Sequence, residues 1–173
     1  AAPDGYTLLA VSAAQAANAA LAKNLNFNLV RDFEPVAMMA STPYALAVHP
    51  SVPANSVAEL IALAKSQPGK LTYASTGQGS APHLTAEMFK MQAGVDILHV
   101  PYKGSQTAIP DLIGGQVSMM FSSTVIPPAK AGRLRALAMT SAKRSSTAPE
   151  LPTIAESGLP GFESGTWFGL LAP

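Results

Sequence analysis

Short apolar runs rich in Val, Leu, Ile and Met alternate along the chain with stretches of helical periodicity, each about 10 to 14 residues long. The clearest helix lies in "SVPANSVAELIALAKSQPGK", where Val57, Leu60, Ile61 and Ala64 share one face. Asn55 or Ser56 caps its start, Glu59 completes a capping box, and "QPG" stops it. Upstream, the pattern predicts a strand at 6–12, a short helix at 15–23, and strands at 35–41 and 44–50. Downstream it predicts strand–helix pairs at 71–74 and 81–92, 97–100 and 105–113, and 117–121 with a helical turn at 127–131. A strand at 134–139, a polar loop at 141–151, a short helix at 153–157 and a strand at 162–171 complete the reading. In the 81–92 helix, Leu84 and Met88, with Met91 or Phe89, are expected to face inward. Pro110 removes an interior hydrogen bond from the helix that Ser105 opens and should kink it.

This alternation defines an α/β fold with a parallel sheet flanked by helices. Ligands of such sheets bind beyond the carboxyl ends of the strands, where loops and helix N-termini converge. Four ends are of interest, at 74–80, 100–105, 121–126 and 139–145, and hydroxyl residues gather at each of them. They are Ser75, Thr76 and Ser80; Ser105; Ser122, Ser123 and Thr124; Thr140 and Ser141. Any one of these could be a plain cap or turn residue, but four clusters on one edge favour a ligand contact among them.

Composition narrows the function. With 48% apolar residues the 173-residue chain can bury a core, whereas 12% charged residues and a net charge of +1 supply no field for nucleic acid. The absence of cysteine removes disulfide frameworks, zinc–thiolate sites and thiol catalysis. No apolar run approaches the roughly 18 residues of a membrane span. The start lacks a basic leader and reads as the middle of a fold, as does the end, "WFGLLAP". The expectation is an internal piece of a longer protein, with no signal peptide in this chain.

The stretch "LTYASTGQGSAPHL" carries the richest chemistry, a strand, a Gly/Ser turn and the first turn of a helix. It has no lysine for a phosphate loop, and Pro82 stands where a dinucleotide fingerprint needs its third glycine. Ser80 lacks the flanking glycines of a nucleophile elbow, and Ser80 with His83 lacks an orienting carboxylate. His49, His83 and His99 have no metal-ligand spacing, and Glu87 and Asp111 read as solvated helix-face charges. No metal, cofactor or catalytic residue is therefore expected. Passive anion recognition survives: Gly77 and Gly79 permit a sharp turn, Ser75, Thr76 and Ser80 offer hydroxyls, and the helix start offers unpaired N–H groups. "VPYKGSQTA" repeats the idea, with Lys103 beside Gly104 and Ser105.

Several segments together resemble one family. They are "PDGYTLL", "RDFEPVA", "VHPSVPANSVAELIALAKSQPGKLTYASTGQGSAPHLTAEMFK", "DILHVPYKGSQTAIPDLIGGQVSMMF", "AGRLRALAMTSAKRS" and "LPTIAESGLPGFESGTWFGLLAP". In this order they resemble the Bug-type receptors, periplasmic solute-binding proteins of tripartite tricarboxylate transporters. The resemblance implies a two-lobed, flytrap-like α/β receptor, not an enzyme, that captures a small carboxylate in the periplasm for a membrane permease. Dicarboxylates, tricarboxylates, acidic amino acids and aromatic acids are the ligand classes. Residues 48–161 would form a near-complete second lobe, and 1–47 with 162–173 part of the first. The family's Ser/Thr-Gly-x-Gly-Ser loop falls on Ser75, Thr76, Gly77, Gly79 and Ser80, followed by His83. Its "PYKG" segment brings Lys103 and Gly104, with Ser105 next, and the loop after "QVSMMF" brings Ser122 and Ser123. The turn beginning at Ser12 and Ala13 would face the cleft from the first lobe, while Trp167 and Phe168 read as core packing. A partial first lobe leaves apolar surface that could drive self-association. Two readings from other classes stand beside this one: an effector-sensing regulatory domain of flytrap architecture, and a hydrolase using Ser80 and His83.

Overall fold

A computed structural model of the chain describes residues 4–21 and 25–173. The end of the helix expected at 15–23 lies outside the described residues. The chain forms two compact units, Ala1–Thr42 with Thr166–Pro173, and Pro43–Gly165.

The smaller unit contains strand β1 (Leu9–Ser12), helix α1 (Ala13–Leu21), strand β2 (Glu34–Pro43) and, from the far end of the chain, strand β8 (Gly165–Ala172). They form a three-stranded sheet in the order β1–β8–β2, with β1 antiparallel to β8 in the register Val11 to Gly169. The helix starts directly at Ala13, two residues before the expected position, and Tyr6 stays outside the strand with 94% of its surface exposed.

The larger unit holds strand β3 (Ala45–Val48), helix α2 (Val57–Ser66), strand β4 (Thr72–Ser75) and helix α3 (Ala81–Ala93). Strand β5 (Leu98–Pro101), helix α4 (Ser105–Ile113), strand β6 (Met119–Ser122), a 3-10 turn at Ser123–Val125, helix α5 (Ile126–Lys130) and strand β7 (Arg135–Met139) follow. The five strands lie in the order β5–β4–β6–β3–β7. β4 is parallel to β5 and β6, whereas β3 is antiparallel to β6 and β7. The expected parallel sheet is therefore mixed, with β3 inverted. Strand–helix alternation does not encode direction, because the helix between β3 and β4 reads like any parallel crossover until the pairing is known.

The sheet separates two cores. Leu46, Val48, Tyr73, Met119 and Phe121 pack with α2 and α3, whereas Ala45, Ala47, Ala74 and Met120 pack with α4 and Val125. β3 is apolar at every position because it is buried on both faces. The larger compact unit includes all of β3 and begins at Pro43. At the other end, β8 begins at Gly165 and the division follows it.

Ser56, not Asn55, caps α2: its Oγ accepts from the Glu59 N–H at 3.2 Å, while the Glu59 carboxylate accepts from the Asn55 N–H at 2.8 Å. The inward face of α3 matches the expected one at Phe89 and, partly buried, at Met88, but not at Leu84 or Met91. Thr85, Ala86, Phe89 and Ala93 are buried, while Met91 is 77% exposed. Phe89 sets this rotation by packing edge-on against Phe162 and tilted on Phe121. The helix expected at 153–157 is a turn. Thr153 and Glu156 satisfy each other's N–H groups as in a capping box, but Gly158 and Pro160 follow too soon for a helix to grow. Thr153 forms an isolated parallel bridge with Met139 instead.

Candidate functional site

β4, β5, β6 and β7 run in one direction, so their carboxyl ends share one edge of the sheet. The loops at 76–80, 102–104, 123–125 and 140–145 leave from that edge. Tyr102 N–H donates to the Ser75 carbonyl at 3.0 Å, joining the first two loops at their base.

Two helices open there without a side-chain cap. Ser80 occupies the N-cap of α3, yet its hydroxyl donates to the Gly77 carbonyl at 2.7 Å and leaves the first-turn amides uncapped. Gly104 at the N-cap of α4 has no side chain to offer. Open N-termini of helices 13 and 9 residues long favour an anion. Gly77, at φ +128°, could not accept a Cβ without strain, and a methyl there would meet the Tyr102 carbonyl oxygen at 3.5 Å.

Several candidate hydroxyls are committed inside the protein. Ser75 is fully buried, its Oγ accepts from the Gly77 N–H at 3.1 Å, and it lies 2.7 Å from Nε2 of His99. Ser122 Oγ accepts from the Thr124 N–H and meets the Thr124 hydroxyl at 2.8 Å. Thr140 is buried and donates to the Ser164 carbonyl at 2.6 Å. Thr76, Ser105 and Ser123 have no such commitment, and Lys103 is exposed on the second loop. Ser12 and Ala13 belong to the smaller unit, at the junction of β1 and α1, where the Ser12 N–H donates to the Gln15 side chain at 2.9 Å. Phe168, expected in a core, is 43% exposed.

Behind the first loop His83, expected at the site, meets groups that the sequence did not tie to it. Nδ1 of His83 accepts from the Gly79 N–H at 3.2 Å. Its ring stacks on His99 with centroids 4.3 Å apart, and His99 stacks on Tyr73 at 4.8 Å. The Tyr73 hydroxyl donates to Glu87 at 2.6 Å, and Lys90 Nζ donates to the same oxygen at 2.8 Å. Burial pushes the Tyr73 phenol up and holds His99 below the usual histidine range, with His83 adding to the effect on His99. At Glu87 burial opposes ionisation, but the bonds from Lys90 and Tyr73 outweigh it and hold the carboxyl below its ordinary range. Glu87 is thus not a solvated helix-face charge. Nor is Asp111, which accepts from the Tyr102 hydroxyl at 2.7 Å and, together with burial, raises that phenol to about 12. The spacing of Tyr73, His83 and Glu87 carries no recognisable motif. Their meeting depends on α3 lying against β4 and β5. Among the described residues no group of three His, Cys, Asp or Glu side chains could hold a metal ion.

An α/β domain whose helices open uncapped at one sheet edge has the architecture of the periplasmic-binding-protein-like folds. The chain belongs to the tripartite tricarboxylate transporter receptor family, whose profile matches residues 1–173. These receptors are solute-binding proteins rather than enzymes. Protein BugT of Bordetella pertussis is 38% identical over 176 residues, covering 99% of this chain and 54% of BugT. R. palustris Rpa4515, solved with adipate, is 39% identical, with a TM-score of 0.87 over all of this chain and 59% of that one. MatC from Rhodopseudomonas palustris, solved with bound malate, is 32% identical, with a TM-score of 0.85 over all of this chain and 60% of MatC. The chain spans about half the length of the curated relatives it matches.

Proposed function

We propose that this chain is part of an extracytoplasmic receptor that captures a small dicarboxylate and hands it to the membrane permease of a tripartite tricarboxylate transporter. The observation that carries the reading is the pair of uncapped helix N-termini, α3 and α4, on one sheet edge. A carboxylate is met there by the uncapped first-turn N–H groups of α3 and α4 and by the free hydroxyls of Thr76, Ser105 and Ser123, with Lys103 supplying charge. Neutral donors of this kind bind reversibly, as delivery to a carrier requires. The relatives solved with adipate and malate support a dicarboxylate over other anions. Periplasmic placement follows from the same kinship, since solved relatives are described as periplasmic.

In this reading the larger unit is the receptor's second lobe, and the smaller unit is the portion of the first lobe that this chain contains. The β1–α1 junction at Ser12 and Ala13 offers a further helix start of the same chemistry.

The test is calorimetry and thermal shift on the full-length parent protein against four- to six-carbon dicarboxylates, with monocarboxylates, citrate and inorganic phosphate as competitors. Saturable binding of a dicarboxylate supports the reading. Stabilisation by phosphate alone would overturn it.

A further inference from the structure

Resting on the carboxylate-receptor reading, we propose that His83, braced by His99, is a pH-sensitive positioning residue that latches the Gly77–Gly79 turn in shape for the ligand only as a neutral imidazole. A backbone N–H can only donate, so the bond from Gly79 to His83 requires a lone pair on Nδ1 and places the neutral ring's proton on Nε2. Protonating Nδ1 sets one donor against another and breaks the latch.

The turn has few other restraints. Both glycines lie at positive φ, +128° at Gly77 and +73° at Gly79, and neither has a side chain to pack. Gly77 is tied by its N–H to Ser75 Oγ and by its carbonyl to Ser80. Gly79 is tied to His83. The two rings therefore hold the turn at its two glycines, His83 directly and His99 through the buried Ser75 hydroxyl. Their stacking at 4.3 Å sets two imidazoles side by side, so a charge on one opposes a charge on the other. The ionisable groups around the pair are Tyr73 from β4 and Glu87 and Lys90 from α3. Glu87 favours an imidazolium and Lys90 opposes it, and the Lys90–Glu87 bond, 2.8 Å long, partly cancels the two.

The test is the affinity of the full-length parent for adipate or malate between pH 8 and 5.5, in the wild type and in His83→Asn and His83→Ala. Wild-type binding should weaken severalfold as pH falls, because a protonated Nδ1 cannot accept from the Gly79 N–H. His83→Asn keeps an acceptor near Nδ1 but cannot titrate, so it should bind more tightly than His83→Ala and lose the pH dependence. Affinity that is flat or tighter in acid in the wild type overturns the proposal, as does an unchanged pH profile in His83→Asn. The ligand-free protein provides a separate readout. The Gly79 amide resonance should move with pH in the wild type and stay still in His83→Asn. If the amide titrates while no carboxylate binds, the receptor reading fails and the latch stands; an amide that does not titrate sinks the latch whatever binds.

Discussion

Thr140 and Tyr44, 96 positions apart, each hold the other's backbone at the edge of the larger unit. The Thr140 hydroxyl accepts from the Tyr44 N–H at 2.8 Å and donates to the Ser164 carbonyl at 2.6 Å, while the Thr140 N–H donates to the Tyr44 carbonyl at 2.8 Å. One buried hydroxyl thus ties β3, β7 and the segment entering β8. Thr140→Val keeps the shape but removes the hydroxyl partner of the buried Tyr44 N–H and of the part-buried Ser164 carbonyl. It should lower stability by about 2–4 kcal/mol, and Thr140→Ser by much less, as read from urea unfolding midpoints.

Gly77→Ala tests the turn. Alanine at φ +128° is strained, and we expect a loss of about 1–3 kcal/mol in thermal or urea unfolding. Carboxylate affinity of the full-length parent should fall as well, because the turn positions the start of α3 through Ser80. A neutral effect on both would show that the positive φ is not required.

Glu87 should contribute to the acid sensitivity of folding. Its carboxyl is held below its unfolded value, so its stabilisation is complete above the ordinary glutamate range near 4.3 and fades as pH falls through the folded value. The side chain is 43% exposed, which limits the effect to about 1 kcal/mol. Urea unfolding at pH 7 and pH 3 should show that Glu87→Gln and Tyr73→Phe both shrink the pH difference.

Pro110 interrupts the hydrogen bonding of α4 yet the helix runs on to Ile113, and the proline is exposed. Pro110→Ala should stabilise the chain by about 1–2 kcal/mol, the gained helix bond being offset in part by a looser unfolded chain. Destabilisation in the same assay would mean that the proline shapes the start of the helix.

Much of the architecture was legible in the residues. The α2 cap and stop, the strand–turn–helix at 72–93 and the start of α4 at Ser105 follow from local chemistry: hydroxyl caps, prolines, glycines and apolar spacing act within a few residues. The positive φ of Gly77 and Gly79 and the helix start beyond them belong to this group, since both are local properties.

What the chain's pattern left open was decided by pairing and packing. The inversion of β3 depends on partners more than 70 residues away, and alternation of elements has no term for direction. Phe89 on α3 packs against the rings of Phe121 and Phe162, which lie more than 30 residues away in the chain. Tertiary packing likewise committed the Thr140 hydroxyl to Tyr44 and Ser164, set Ser75 against His99 and stacked His83 on His99, while Thr76 and Ser123 stayed free. The sequence by itself determined where the chain can turn and offer donors. The fold decided which rings and hydroxyls from distant segments meet, because those partners come together only when the elements that carry them pack.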